Sequence, residues 1–137
     1  MRLVLDCFVP GRPKTKGSVQ VVNSRRGVVR DTPASHRWRQ QVAYVAKQVM
    51  ADRARAEPLS GRIVVGLVFY LPVGDVTQRQ CGDLDKLERN VLDALGCTDP
   101  DDARLYADDV QVVRIVSEKR PATSNNPAGL SLRVWQE

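Results

Sequence analysis

The stretch Ile63-Val64-Val65-Gly66-Leu67-Val68-Phe69-Tyr70 constrains the fold of this chain more than any other segment. Its apolar residues fall at odd and even positions alike, which marks a strand covered on both faces. The apolar run ends at Pro72, well short of the ~20 residues that a membrane-spanning helix needs. After the polar loop Gly74–Gly82, the spacing of Leu84, Leu87, Val91 and Leu95 predicts a helix over Leu84–Leu95, with Gly96 just past its end. The loop Thr98–Ala107 then leads into a strand over Val110–Lys119, where Val110, Val112, Val113, Ile115 and Val116 are apolar. A strand, a helix and a second strand of these lengths should form a parallel crossover in one sheet.

The rest of the chain supplies partners for that unit. Leu3–Val9 reads as a first strand running into a Pro10-Gly11 turn, and Pro13–Ser18 as a polar, basic loop. Val19–Val22 and Val28–Arg30 flank Asn23–Gly27 as a hairpin with a basic tip. A helix is expected from about Ser35 to Arg53, because Trp38, Val42, Val45 and Val49 make one apolar stripe. Pro58 and Gly61 close the connection to the Ile63 strand, and Leu130–Trp135 alternates as a closing strand. The expected order is β-β-β-α-β-α-β-β: one α+β domain over residues 1–137, a mixed β-sheet with two helices packed on it. Only 5% of the residues are aromatic, so Val, Leu, Ala and Ile must fill the core.

Several function classes are excluded early. Met-Arg-Leu-Val-Leu-Asp carries an acid where a signal peptide needs an apolar stretch, so a cytoplasmic protein with no membrane partner is expected. Cys7, Cys81 and Cys97 show no C-x-x-C spacing, and His36 is the only histidine. That argues against a structural zinc site, a disulfide framework and a nucleophilic cysteine. No motif for a small-molecule cofactor is present either.

Charge is segregated along the chain. From Arg2 to Arg39 the basic residues Arg2, Arg12, Lys14, Lys16, Arg25, Arg26, Arg30, Arg37 and Arg39 face only Asp6 and Asp31. From Asp75 to Asp109 acids dominate, among them Asp83, Asp85, Glu88, Asp93, Asp108 and Asp109. The basic third suggests a polyanionic partner, and the acidic centre would repel that partner unless cations neutralised it. Arg12, Lys14, Lys16, Arg25, Arg26 and Lys86 are the candidate phosphate contacts; solvated loops are the plain alternative.

Read singly, the acids are unremarkable. Asp83 suits a helix N-cap, Asp85 a first turn, and Asp108-Asp109 a turn before a strand. Read jointly, they suit phosphodiester hydrolysis. A hard cation held by two or three carboxylates polarises a phosphate and activates water. Arg89, one turn after Asp85, could stabilise the charge that develops, and Lys86 is a second candidate. On an extended lead-in Asp108 and Asp109 point to opposite sides, so only one should face a metal. A simple parallel crossover puts Asp83 and Asp109 at opposite strand ends, whereas an antiparallel Val110 strand would bring them together, so strand polarity stays open here.

The segment Asp83-Leu84-Asp85-Lys86-Leu87-Glu88-Arg89-Asn90-Val91-Leu92-Asp93-Ala94-Leu95, followed by Asp108-Asp109-Val110-Gln111-Val112, resembles the RusA-type Holliday junction resolvases. The stretch Val9-Pro10-Gly11-Arg12-Pro13-Lys14-Thr15-Lys16-Gly17-Ser18 is also similar to a basic segment near the start of many members. The resemblance implies a Mg²⁺-dependent endonuclease, with Mn²⁺ able to stand in, acting as a homodimer on four-way and related branched DNA. It implies a bacterial cell, with a host, phage or prophage gene. It implies that Asp83, Asp85 and Asp109 are metal-binding catalytic carboxylates; Asp93 also matches the pattern and reads as a residue that supports the helix or the ligands and not as a ligand itself. Two departures stand out: Lys86 where the family has Asn, and Arg89 where it has Lys. Arginine keeps the charge and cannot lose its proton, so an electrostatic role survives there. Two other readings compete: a catalytically weak or inactive branched-DNA-binding protein, and a calcium module at Asp99–Asp109, which lacks the EF-hand glycine and final glutamate.

Overall fold

Strand β2 (Ile63–Leu71) turns Ile63, Val65, Leu67, Phe69 and Leu71 towards the helices, and all five are buried. The structure, a computed structural model, describes residues 1–16, 32–52, 58–96 and 105–137. In chain order these form β1 (Arg2–Pro10), α1 (Pro33–Asp52), β2, α2 (Leu84–Leu95), β3 (Val112–Pro121) and β4 (Gly129–Gln136). Single 3-10 turns occupy Arg79–Cys81 and Asp109–Gln111. The sheet order is β1-β4-β2-β3, with β4 antiparallel to both neighbours and β3 parallel to β2. β2 is therefore an inner strand, as its two-sided apolar pattern requires. The parallel crossover is present, and strand polarity is resolved against the antiparallel alternative. The expected hairpin with Arg25 and Arg26, the helix end at Arg53, and Cys97 lie outside the described residues.

Both helices cover one face of the sheet. α1 buries Trp38, Val42 and Ala46, while Val45 and Val49 are half-buried at its margin. α2 buries Leu87, Asn90, Val91, Ala94 and Leu95, with Leu84 only half-buried. These meet Leu5 and Val9 of β1 and Leu130, Leu132 and Val134 of β4 in one core. Each large aliphatic side chain sealed this way contributes about 1.5–3 kcal/mol. On the opposite face the Trp135 ring lies over Gly66, where a Cβ would come within 2.9 Å of it, which accounts for a glycine inside a buried strand. No described helix is long and apolar enough to cross a membrane.

α2 is placed by its two ends. Before it, Asp75 accepts hydrogen bonds from the Thr77 amide (2.9 Å) and hydroxyl (2.7 Å), ordering the loop out of β2. Those bonds hold the Asp75 carboxyl below its usual range. Lys119 of β3 donates to the Gly82 carbonyl at 3.0 Å, pinning the last residue before the motif. At the other end the Gly96 amide closes the helix on the Leu92 carbonyl at 3.0 Å.

Candidate functional site

Residues three and four apart on a helix stand on one side of it. Asp85, Glu88, Arg89, Leu92 and Asp93 therefore form a stripe along α2, and with Lys16 and Asp109 they line an open depression of about 550 Å³. Asp85 lies in the first turn of α2, where the helix dipole favours a negative charge. Glu88 accepts a hydrogen bond from the Ser117 hydroxyl of β3, which ties this wall to the sheet.

Asp109 arrives from a different element. Asp108 accepts a hydrogen bond from the Val110 amide at 3.0 Å, and the Gln111 side chain accepts one from the Asp108 amide at 2.9 Å. This capping box makes a 3-10 turn instead of strand, so β3 begins at Val112 and Val110 is left exposed. Gln111 also donates to the Leu59 and Gly61 carbonyls, each at 3.0 Å, fastening the turn to the approach of β2. Asp108 is thus engaged in the turn, and Asp109 is the acid that reaches the depression. The difference between the two acids comes from a turn and not from strand alternation.

Asp109 packs where α2 ends. A Cβ on Gly96 would stand 2.8 Å from an Asp109 carboxylate oxygen and 3.3 Å from the Tyr106 ring. Gly96 has φ −99, so its role is the space it leaves and not an unusual backbone conformation. The Tyr106 phenol is held above its usual range by burial first, then by the Asp109 charge and a hydrogen bond to that carboxylate, then by Asp93.

The basic N-terminal loop contributes Lys16 to the depression. The Lys16 ammonium is 2.5 Å from Asp93, and the Lys16 amide donates to the Lys86 carbonyl at 3.2 Å. Thr15 packs on Gly82, which has φ +77, a conformation that favours glycine. Lys14 offers its carbonyl to Asn90 at 3.0 Å, while Arg12 is exposed.

Of the expected site residues, the depression gathers Asp85, Asp109, Arg89 and Lys16. Asp83 does not line it; its carboxylate, 69% exposed, pairs with Lys86 at 3.4 Å across one turn. Among the described residues no three His, Cys, Asp or Glu side chains are grouped so as to share one ion. Arg25 and Arg26 lie outside the described residues.

Sequence reasoning missed Asn90. It is fully buried, and its side chain joins α2 to Ser35 and Arg39 of α1 and to the basic loop. The available signal was an amide in phase with Leu87, Val91 and Ala94 on an otherwise apolar face. Gly96 and Gly82 were missed as well, because the space they leave is visible only in three dimensions.

A search of curated proteins finds no match. The family described as Endodeoxyribonuclease RusA matches residues 10–134, a span that includes the basic loop, all of α2 and the Asp108-Asp109 turn. On that match, which covers nearly the whole chain, this protein belongs to the RusA endodeoxyribonuclease family.

Proposed function

We propose that this chain is a Mg²⁺-dependent endonuclease that resolves four-way and related branched DNA junctions by paired phosphodiester hydrolysis. The observation that carries the reading is the depression along α2, where Asp85 and Asp109 stand with Lys16 and Arg89 in a member of an endodeoxyribonuclease family. The donors fit a hard cation, since Asp85 and Asp109 offer carboxylate oxygens to the depression. Mg²⁺ is commonly held by one or two carboxylates plus substrate phosphate and water; Asp85 and Asp109 stand at opposite ends of α2, about 16 Å apart along its axis, so an ion would be held by one of them together with the substrate. Asp83 is the third candidate. Its exposed pairing with Lys86 is worth at most about 1 kcal/mol, too little to oppose its turning towards a cation.

When bound, Mg²⁺ supplies polarisation of the scissile phosphate and acidification of the attacking water. The chain's own residues do the rest. Arg89 places a permanent positive charge on the wall of the depression, suited to a phosphate that gains negative charge in the transition state. Lys86, beside the α2 N-terminus, and Arg12, Lys14 and Lys16 offer contacts to flanking phosphates, and Arg25 and Arg26 are further candidates by sequence. Two like-polarity nicks in a twofold-symmetric junction call for two copies of the site, hence a homodimer.

The test uses junction, fork and linear duplex substrates with Mg²⁺ or Mn²⁺. Asp83→Asn, Asp85→Asn and Asp109→Asn should each bind the junction and fail to nick it, with rates down about 100-fold or more. Unchanged nicking by Asp85→Asn and Asp109→Asn sinks the site assignment. Junction binding without nicking by the wild-type chain at any metal concentration replaces the enzyme with an inactive binding protein. Size-exclusion chromatography with light scattering tests the homodimer.

A further inference from the structure

Asn90 is an amide in the middle of a helix face that is otherwise apolar, and it is 0% exposed. A buried amide is costly unless its donors and acceptor are paired. Its nitrogen donates to the Lys14 carbonyl (3.0 Å), the Ser35 carbonyl (3.3 Å) and the Ser35 hydroxyl (3.1 Å), and its oxygen accepts from Arg39 at 3.0 Å. A leucine would fill the same slot without that demand. What the amide adds is a specific connection, and one branch of it ends on the backbone of the basic loop.

That loop, residues 12–16, has no regular hydrogen-bonding pattern of its own. Its position rests on the Asn90 bond to Lys14, the Lys16 amide bond to Lys86, Thr15 on Gly82, and the Lys16–Asp93 pair. The ion pair is half-exposed, at 40% and 29%, so it is worth little in stability, and a phosphate can displace Asp93 from it. The backbone bonds are what keep the loop in place when that exchange happens.

We infer that Asn90 is a positioning residue: it clamps the Lys14–Lys16 loop onto α2, so that both ammonium groups meet DNA phosphates beside the acidic depression. This rests on the reading of the depression as a junction-cutting site, and the test separates the two. Binding of a synthetic four-way junction is measured without divalent metal between 50 and 200 mM salt. Asn90→Asp, equal in volume and still able to accept from Arg39, loses the donor to Lys14. The slope of log K against log salt should become shallower by about 1.8, the share of two phosphate contacts. Salt then weakens binding about 12-fold less over that range than for the wild type. Lys14→Ala/Lys16→Ala should lose the same amount, and the triple variant nothing more. Asn90→Ala serves as the second variant and should read the same way.

A wild-type slope in the Asn90 variants with a lowered Tm, or losses that add in the triple variant, overturns the inference. So does a wild-type chain that shows no junction binding. A wild-type chain that binds with full slope but does not nick with Mg²⁺ sinks the nuclease reading alone.

Discussion

Gly96→Ala should separate stability from cleavage. At φ −99 alanine fits the backbone without strain, and removing a glycine from the unfolded chain stabilises by about 0.4–1 kcal/mol. Against this, the new Cβ stands 3.3 Å from the buried Tyr106 ring, which must give by a few tenths of an ångström. These effects oppose each other, so net stability should change by about 0.5 kcal/mol or less, roughly 2 °C in Tm for a chain of this size. The contact with Asp109 is another matter. Its carboxylate oxygen would be 2.8 Å from the Cβ and has to retreat by more than half an ångström to reach ordinary contact. The Asp109 side chain can swing away at little cost to folding, but a reacting group misplaced on this scale can cost about 100-fold in rate. The assay is single-turnover nicking of a four-way junction with Mg²⁺ at saturating protein, alongside thermal melting. A 10- to 100-fold slower rate at near wild-type Tm is expected. Wild-type nicking refutes the placement of Asp109 in the site, and a joint collapse of rate and Tm refutes the claim that the displacement is local.

Gly129→Ala should instead hurt folding, because its Cβ would run into the Val9 carbonyl and the Phe8 ring. A loss of about 2–3 kcal/mol is expected in urea unfolding, as for overpacked cores. Asp108→Ala removes the cap of the Asp109 turn, costing about 1 kcal/mol; nicking should fall further than that loss explains, since Asp109 loses its anchor. In alkali, burial and then Asp6 push the Cys7 thiol up from 9.0 to about 11. Its folded-state pKa exceeds the unfolded one, so its contribution is complete below pH 9.0 and is lost as pH rises through about 11. Tm should therefore decline from pH 9 upward, more gently in Cys7→Ala; an identical profile in the variant removes Cys7 as a cause.

The sequence was most informative where a single physical pattern ruled. α2 has the expected bounds because its apolar spacing and Gly96 act locally, and β2 lies inside the sheet because both of its faces are apolar. β3 starts two residues later than its valines suggest, because Asp108 and Gln111 satisfy the backbone as a capped turn and leave Val110 outside. The D-x-x-Q spacing carries that signal, although apolar alternation outweighs it in a reading of strands. The company each acid keeps was not legible. Asp83 and Asp85 are two residues apart in sequence, yet one faces Lys86 and the other the depression, a division set by the helix start and the tertiary neighbours. Asn90 escaped notice because the same helix position accepts an apolar residue; only its partners on α1 and the loop explain the amide.

Helix α2 also sets a length scale. From Asp85 to Asp93 the stripe runs about 12 Å along the axis, at 1.5 Å per residue. Successive phosphates of one DNA strand rise about 3.4 Å along the duplex axis and lie farther apart along the strand itself. The depression therefore spans more than one phosphate: one can lie beside Asp109, while a neighbour passes Lys16 or Arg89. Deleting one residue within α2 would turn everything beyond it by about 100°, swinging Asp93 and Gly96 off that side. Substitutions along the stripe adjust chemistry one contact at a time, whereas a change in helix length uncouples the two ends of the site at once.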